Sequence, residues 1–395
     1  MKKILLICNQ CNNFFSLLRH LRDNGYDAHL YIMHEEFSHF KPENDCYSDN
    51  YKSFVQNSFF SMLPTGFYLI PKKQIKKAVI GYDFIIGCGL APAYLNKIGM
   101  KLDLFIPYGL DLDYQPFLHR KKIFTRKIFK VIFVTYHQKL GIRNSKYIML
   151  PKTNNIYLSY YNEINHKGKL ISATVPFIYD KQYEYSILKK YTISSKNDFI
   201  RSMKMIRKSS DFIVFHHCRH LWKNKSPIDN KGNDKLLRGF QKFTQNKKNI
   251  NARLILFEYG DDVGESKKLI KELGIENSVK WFPVTYRKDI MIGINLCDLG
   301  VAALGESWIT YSVVCEFMCM SKPIMMYRED ELYKDSYDYL YPIMNSSNAN
   351  DVASGMKKIY ENKQLSLAMG QRCKDWFDEY IVGEGLQKVI NAIES

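Results

Sequence analysis

Short apolar runs alternate with amphipathic stretches along most of this chain, and the alternation predicts its elements. Lys2–Cys8 is built on Ile4-Leu5-Leu6-Ile7 and has the length of a buried strand. Phe14, Leu17, Leu18 and Leu21 then recur at helical spacing, Gly25 closes that helix, and Ala28–Met33 reads as a second strand. Strand, helix, strand in that order opens a parallel α/β sheet. Asp83–Gly87, Leu104–Pro107 and Val131–Thr135 predict further strands of the same sheet.

A second series starts at the strand Phe212–His216. The helix Asp234–Phe243 follows, with Leu236, Leu237 and Phe240 on one face, and then the strand Ala252–Phe257. Helix Glu265–Leu273, strand Val279–Phe282, helix Asp289–Asn295 and strand Leu299–Leu304 continue the pattern. An apolar helix carrying Glu316 and the strand Pro323–Tyr327 come next. This regularity predicts a second doubly wound sheet. Between the series, Asp180–Asp211 is polar and mixed, without core periodicity. The expected division is therefore 1–200 and 201–380, with 381–395 a terminal helix. A chain of 395 residues suits two domains better than one.

Composition adds three points. Apolar residues make up 46% of the chain, enough for two cores. The net charge of +17 implies an acidic partner: nucleic acid, an anionic membrane or a phosphate-rich substrate. No apolar run reaches the length of a membrane span, and the first residues lead straight into a strand, so no signal peptide is expected. The nine cysteines are an odd number, and Cys88, Cys297, Cys315 and Cys319 lie in apolar stretches, as reduced cytosolic thiols would.

The basic charge is concentrated in the first half. Arg120, Lys121, Lys122, Arg126, Lys127 and Lys130 are interleaved with Phe117, Phe124 and Phe129, and only one acid, Glu163, falls between Gln115 and Leu170. Lys72-Lys73-Gln74-Ile75-Lys76-Lys77 is a second basic stretch. Basic residues beside aromatics suit an anionic bilayer surface, each worth about 1 kcal/mol there. They form no recognisable nucleic-acid reading motif, so nucleic acid is not the expected partner.

The chemistry centres on Glu316. A carboxylate only accepts hydrogen bonds, and two neighbouring ribose hydroxyls can both donate to one. Arg219 follows the strand end Phe215-His216-His217-Cys218, where open α/β sheets bind ligands. Lys231-Gly232 stands just ahead of the next helix, whose N-terminus is itself an anion site. Lys223 and Lys225, in the stretch between, are alternatives to Lys231.

The order Glu316-Phe317-Met318-Cys319-Met320-Ser321-Lys322-Pro323 resembles the donor-site segment of the retaining family-4 glycosyltransferases. These have the GT-B fold, in which two Rossmann-like domains face a central cleft. Glu306-Ser307-Trp308 resembles the family's first acid, set two residues further upstream than usual, and Tyr311 stands where the family has a glycine. Tyr108-Gly109-Leu110-Asp111 is similar to the family's His-Gly-x-Asp cleft loop, and Val175–Asp180 to the turn that ends its first domain.

The resemblance implies a bacterial surface-polysaccharide type of enzyme, transferring a sugar with retention from a UDP- or GDP-linked nucleotide sugar to a lipid-linked glycan. No metal and no further cofactor are implied. Arg219 and Lys231 would hold the pyrophosphate and Glu316 the ribose. Glu306, Gly305, Ser307 and Tyr311 would line the sugar side, with Gly109 and Asp111 across the cleft. The terminal helix would cross back to the first domain. The protein would be cytoplasmic and peripheral on the inner face of the membrane. A catalytically inactive binding subunit of a glycan assembly complex, or a nucleotide-sugar epimerase of the same fold, are the alternatives.

Two patterns are set aside. Asp111-Leu112-Asp113 has metal-binding Asp-x-Asp spacing but lies far in sequence from the phosphate candidates. Cys8-Asn9-Gln10-Cys11 has redox-pair spacing without other thioredoxin features. His216 and His217 are adjacent on a strand and point to opposite faces, which argues against a shared metal ion.

Overall fold

The computed structural model describes residues 1–36, 40–120, 128–153, 155–223, 230–246 and 250–395. The chain divides into two units. Unit 1 comprises Met1–Tyr179 with Tyr380–Ser395, and unit 2 comprises Asp180–Glu379.

Unit 1 is built on seven strands: β1 (Lys3–Ile7), β2 (Asp27–Ile32), β3 (Val55–Asn57), β4 (Phe84–Gly87), β5 (Leu104–Phe105), β6 (Tyr147–Leu150) and β7 (Lys169–Ser172). All pair in parallel, in the order β3-β2-β1-β4-β5-β6-β7. Leu5 lies opposite His29 on one side and Ile85 on the other. A central parallel strand is covered on both faces, which is why β1 reads as an unbroken apolar run. Ile4, Leu5, Leu6 and Ile7 are fully buried, and each contributes roughly 1.5–3 kcal/mol relative to exposure.

Unit 2 repeats the plan with six parallel strands: β8 (Phe212–Phe215), β9 (Ala252–Phe257), β10 (Val279–Phe282), β11 (Leu299–Val301), β12 (Ile324–Met326) and β13 (Met344–Asn345). Their order is β10-β9-β8-β11-β12-β13. The helix Asn233–Asn246 buries Leu236, Leu237, Phe240 and Phe243 against this sheet.

Val131–Thr135 is not a strand. It lies within the helix Ile128–Asn144. Its β-branched residues suggested extension, but Val134, Gln138 and Ile142 recur at four-residue intervals and are all buried. Gly141 lets that helix approach the Pro92 carbonyl so closely that a Cβ would strike it. Residues 180–200 do not belong with the first sheet. The helices Tyr185–Ser194 and Asp198–Ser209 are part of unit 2, and Phe199 packs edge-on against Phe282 at 4.8 Å and beside Phe257.

The Tyr380–Ser395 segment completes unit 1. Val389, Ala392 and Ile393 join its core, and Lys2 Nζ donates to the Ile393 carbonyl at 2.7 Å. Among the described residues no helix is long and apolar enough to cross a membrane.

Candidate functional site

The candidate residues of unit 2 gather at the carboxyl ends of β8 and β11. Glu316 sits on the helix Ser312–Cys319, which is apolar apart from this acid and buries Val314–Cys319. The carboxylate is itself buried. Its Oε2 accepts from His217 Nε2 at 2.5 Å and its Oε1 from Arg287 Nε at 2.9 Å. Burial pushes this carboxyl up, but the bond and charge of His217 and the charge and bond of Arg287 outweigh burial and hold it below its ordinary value. Each oxygen keeps a second lone pair for a ligand. Among the described residues, His217 Nδ1 is buried with no partner.

The two adjacent histidines do diverge. His216 Nδ1 bonds the Val301 carbonyl at 2.9 Å and Nε2 meets Asn233 Nδ2 at 2.9 Å. A ring that donates at Nδ1 and accepts at Nε2 is neutral, and burial pushes its pKa down to about 4. Asn233 opens the helix Asn233–Asn246. Its Oδ1 also accepts from the Leu221 amide at 3.0 Å, and its Nδ2 reaches the Arg219 carbonyl at 3.3 Å. One buried asparagine therefore fixes the course of the 216–221 loop. Asp262 secures the far end by accepting from the amides of Trp222 and Lys223 at 2.7 and 2.8 Å.

Lys231-Gly232 and Leu304-Gly305 run against each other. The Leu304 amide donates to the Lys231 carbonyl at 2.9 Å. Gly232 has φ +63°, and a Cβ there would lie 2.8 Å from the Leu304 carbonyl carbon. A Cβ on Gly305 would collide with the Asn230 carbonyl. Glycine is needed at both places because backbone meets backbone.

Cys218 is the point the candidates share. Burial pushes its thiol up to about 11, Lys231, the Tyr311 hydroxyl and Arg219 act to lower it, and Glu316 acts to raise it. Lys231 Nζ stands 6.0 Å above the Tyr311 ring. The Tyr311 hydroxyl accepts from the Ala303 amide at 2.5 Å, so its ring fills the space that a glycine would leave open. The structure thus brings Arg219, Lys231, Tyr311, Gly305 and Glu316 to one end of the second sheet. Lys223 goes elsewhere, pairing with Glu265 at 2.9 Å. Lys225 lies outside the described residues.

Ser307 is tied internally. Its hydroxyl accepts from the Glu329 amide at 2.9 Å and donates to the Tyr333 hydroxyl, which in turn donates to the Ser307 carbonyl. Glu306 beside it is half-buried, and its charge reaches Tyr333.

No family model matches the chain, and no curated protein matches its sequence. Solved structures do. HepE of Anabaena in complex with UDP is similar over 100% of both chains, with a TM-score of 0.61 and 13% identity. The sucrose-phosphate synthase of Thermosynechococcus elongatus is similar over 100% of this chain and 98% of its own, at 0.58 and 12%. The UDP-N-acetylglucosamine 2-epimerase of Rickettsia bellii is similar over 100% and 97%, at 0.51 and 11%. The fold is GT-B. At such identities the likeness is one of fold.

In unit 1 of this GT-B chain, Asp111 ties the turn that follows β5 to itself and to Gly89. Asp111 is buried. Its Oδ1 accepts from the amides of Tyr108 and Gly109 at 2.8 and 3.1 Å, and its Oδ2 from Gly89 at 2.8 Å. Burial pushes it up to about 6 against those bonds. Gly109 takes φ +125° at the start of this turn. Glu36 is a second buried acid in the unit. Its Oε1 accepts from the Asn9 amide at 2.5 Å, and burial raises it to about 7. Of the basic segment, Lys121, Lys122, Arg126 and Lys127 lie outside the described residues, and for Arg120 only the backbone is described. Lys130 Nζ lies 5.6 Å from the Tyr68 ring.

Sequence reasoning missed Arg287 and the role of His217. Arg287 begins the helix Arg287–Asn295. The first turn of that helix already holds an acid, Asp289, so nothing in the local sequence pointed from Arg287 to Glu316.

Proposed function

We propose that the protein is a glycosyltransferase that takes its sugar from a UDP- or GDP-linked donor bound at the carboxyl ends of β8 and β11. The observation that carries this reading is the buried Glu316, fixed by His217 and Arg287 beside the Arg219 and Lys231 loops. The GT-B fold supports it, as do the similar HepE structures with UDP and with UDP-glucose. In this reading the remaining lone pairs of Glu316 take the ribose hydroxyls. Arg219, Lys231 and the N-terminus of the Asn233–Asn246 helix meet the charge that develops on the leaving diphosphate. Glu306 and the backbone at Gly305 face the sugar. Transfer proceeds with retention and without a metal, and the acceptor is a lipid-linked glycan presented to unit 1. Exposed Tyr68, Leu69 and Phe129, with Lys72, Lys73 and Lys130, support a peripheral location on an anionic cytoplasmic membrane face.

Calorimetric titration of UDP, GDP and CMP into the protein and into Glu316→Gln tests the donor site. One nucleotide should bind, and the variant should lose about 1.5–3 kcal/mol, the scale of a hydrogen bond to a charged group. Unchanged affinity in the folded variant would sink the assignment. The likeness to a 2-epimerase gives a second reading, nucleotide-sugar epimerisation. Conversion of donor alone, with no acceptor, would favour it. Nucleotide binding without turnover across a full acceptor panel would favour a binding subunit.

A further inference from the structure

A cavity of about 550 Å³ in unit 1 is lined by Lys72, Lys73 and Lys76 of the helix Lys72–Val79, by Asn96 and Lys97 at the end of the helix Ala91–Lys97, and by His137 of the helix Ile128–Asn144. Among the described residues no carboxylate lines it, and none of Lys72, Lys73 and Lys76 makes an ion pair.

The placement of these cations is unfavourable at three points, and Lys72 contributes to each. First, Lys72 and Lys73 occupy the opening turn of an eight-residue helix that has no side-chain cap and no acid in its first turn, and Lys76 stands one turn further on the same side of the cavity. The positive end of a helix dipole repels cations. Second, Lys97 is buried and its Nζ is fixed by the carbonyls of Phe67, Tyr68 and Ile70 at 2.6, 3.2 and 2.7 Å. Burial, and then the charge of Lys72, hold it below the usual lysine range. Third, His137 is held down by burial and then by Lys97 and Lys72. Asn96 Nδ2 donates to its Nδ1 at 2.7 Å, which leaves Nε2 to carry the proton of the neutral ring. Phe67, Phe133 and Tyr136, which pack around the ring, bring no charge to offset this.

We infer that this cavity is a second anion site, separate from the donor site, which takes a phosphate or diphosphate group. A multivalent anion with several acceptor oxygens relieves all three penalties together: it answers the helix dipole, the clustered ammonium groups and the imidazole N–H. A single carboxylate would offset one charge among four. The group can belong to a soluble molecule or to a lipid headgroup, since the phosphoryl chemistry is the same.

Histidine-selective NMR reads the site locally, so its outcome does not depend on whether the unit 2 site binds nucleotide. His137 would be titrated with pH in the full chain, alone, with pyrophosphate, and with vesicles of phosphatidylglycerol or of phosphatidylcholine. An anion in the cavity should move the His137 midpoint upward by about one pH unit. The double variant Lys72→Gln/Lys76→Gln alters only exposed side chains, so it should keep the fold. It should weaken the response at least roughly tenfold in ligand concentration. A shift with pyrophosphate that the variant loses supports a soluble phosphate ligand. A shift only with phosphatidylglycerol vesicles, again lost in the variant, supports a headgroup ligand. No shift with either, or an equal shift in the variant, overturns the inference.

Discussion

Replacing Glu316 by alanine should damage folding before it damages binding. Side-chain exposures of 9%, 10% and 7% for His217, Arg287 and Glu316 take this cluster out of the surface class, where an ion pair is worth about 0–1 kcal/mol. Truncating one member of a buried ion pair costs about 3–5 kcal/mol. Here Arg287 Nε and His217 Nε2 would both lose their acceptor. In a unit of this size the loss corresponds to a drop in melting temperature of roughly 6–20 °C. Glu316→Gln keeps the shape and one acceptor oxygen, and should lose about 1–3 kcal/mol. The sign of the pH dependence follows from the depressed carboxyl. The stabilisation is present above the ordinary value of 4.5 and is lost as pH falls through the lower folded-state value. Urea unfolding of wild type, Glu316→Ala, Arg287→Ala and the double variant at pH 7 gives the coupling directly. A Glu316→Ala variant within 1 kcal/mol of wild type, or a coupling near zero, would refute the reasoning.

Three further outcomes are expected. Gly305→Ala should lower stability by about 1–3 kcal/mol, because its Cβ meets the Asn230 backbone rather than a movable side chain; it should also weaken nucleotide binding, and denaturation with calorimetry reads both. Glu36 has a raised carboxyl, so its contribution is full below 4.5 and is lost as pH rises through about 7; the advantage of Glu36→Gln over wild type in thermal melts should therefore grow by about 3 kcal/mol between pH 4.5 and 7.5. Cosedimentation with anionic vesicles should fall as salt rises, through screening of the basic first half, and salt-independent cosedimentation would count against the membrane reading.

The central strands were legible because burial on both faces leaves no polar alternation: β1, β4, β8 and β9 are apolar throughout or nearly so. The edges were not. β3 is Val-Gln-Asn, and β7 is Lys-Leu-Ile-Ser with three exposed positions, so neither carries a hydrophobic signal. Val131–Thr135 was misread because β-branched propensity is weaker than the packing that holds its helix against Pro92. At the site, Glu316 stood out as the one acid in an apolar helix. Its partners did not, since His217 is 99 residues away and Arg287 29, and only the parallel crossovers bring them together. In the Asp111 turn the sequence showed the Gly-x-Asp pattern but not the amide bonds that tie the loop to itself.

The return of Tyr380–Ser395 to unit 1 inverts the usual order of events during synthesis. A growing chain ordinarily completes its first domain while the second is still being made. Here unit 2 is one continuous stretch, whereas the core of unit 1 stays incomplete until Val389, Ala392 and Ile393 have been made. At about 5–20 residues per second, the interval between Tyr179 and Ile393 is tens of seconds or less. During that time the apolar residues that await this segment remain accessible, and they are natural contacts for a chaperone on the nascent chain.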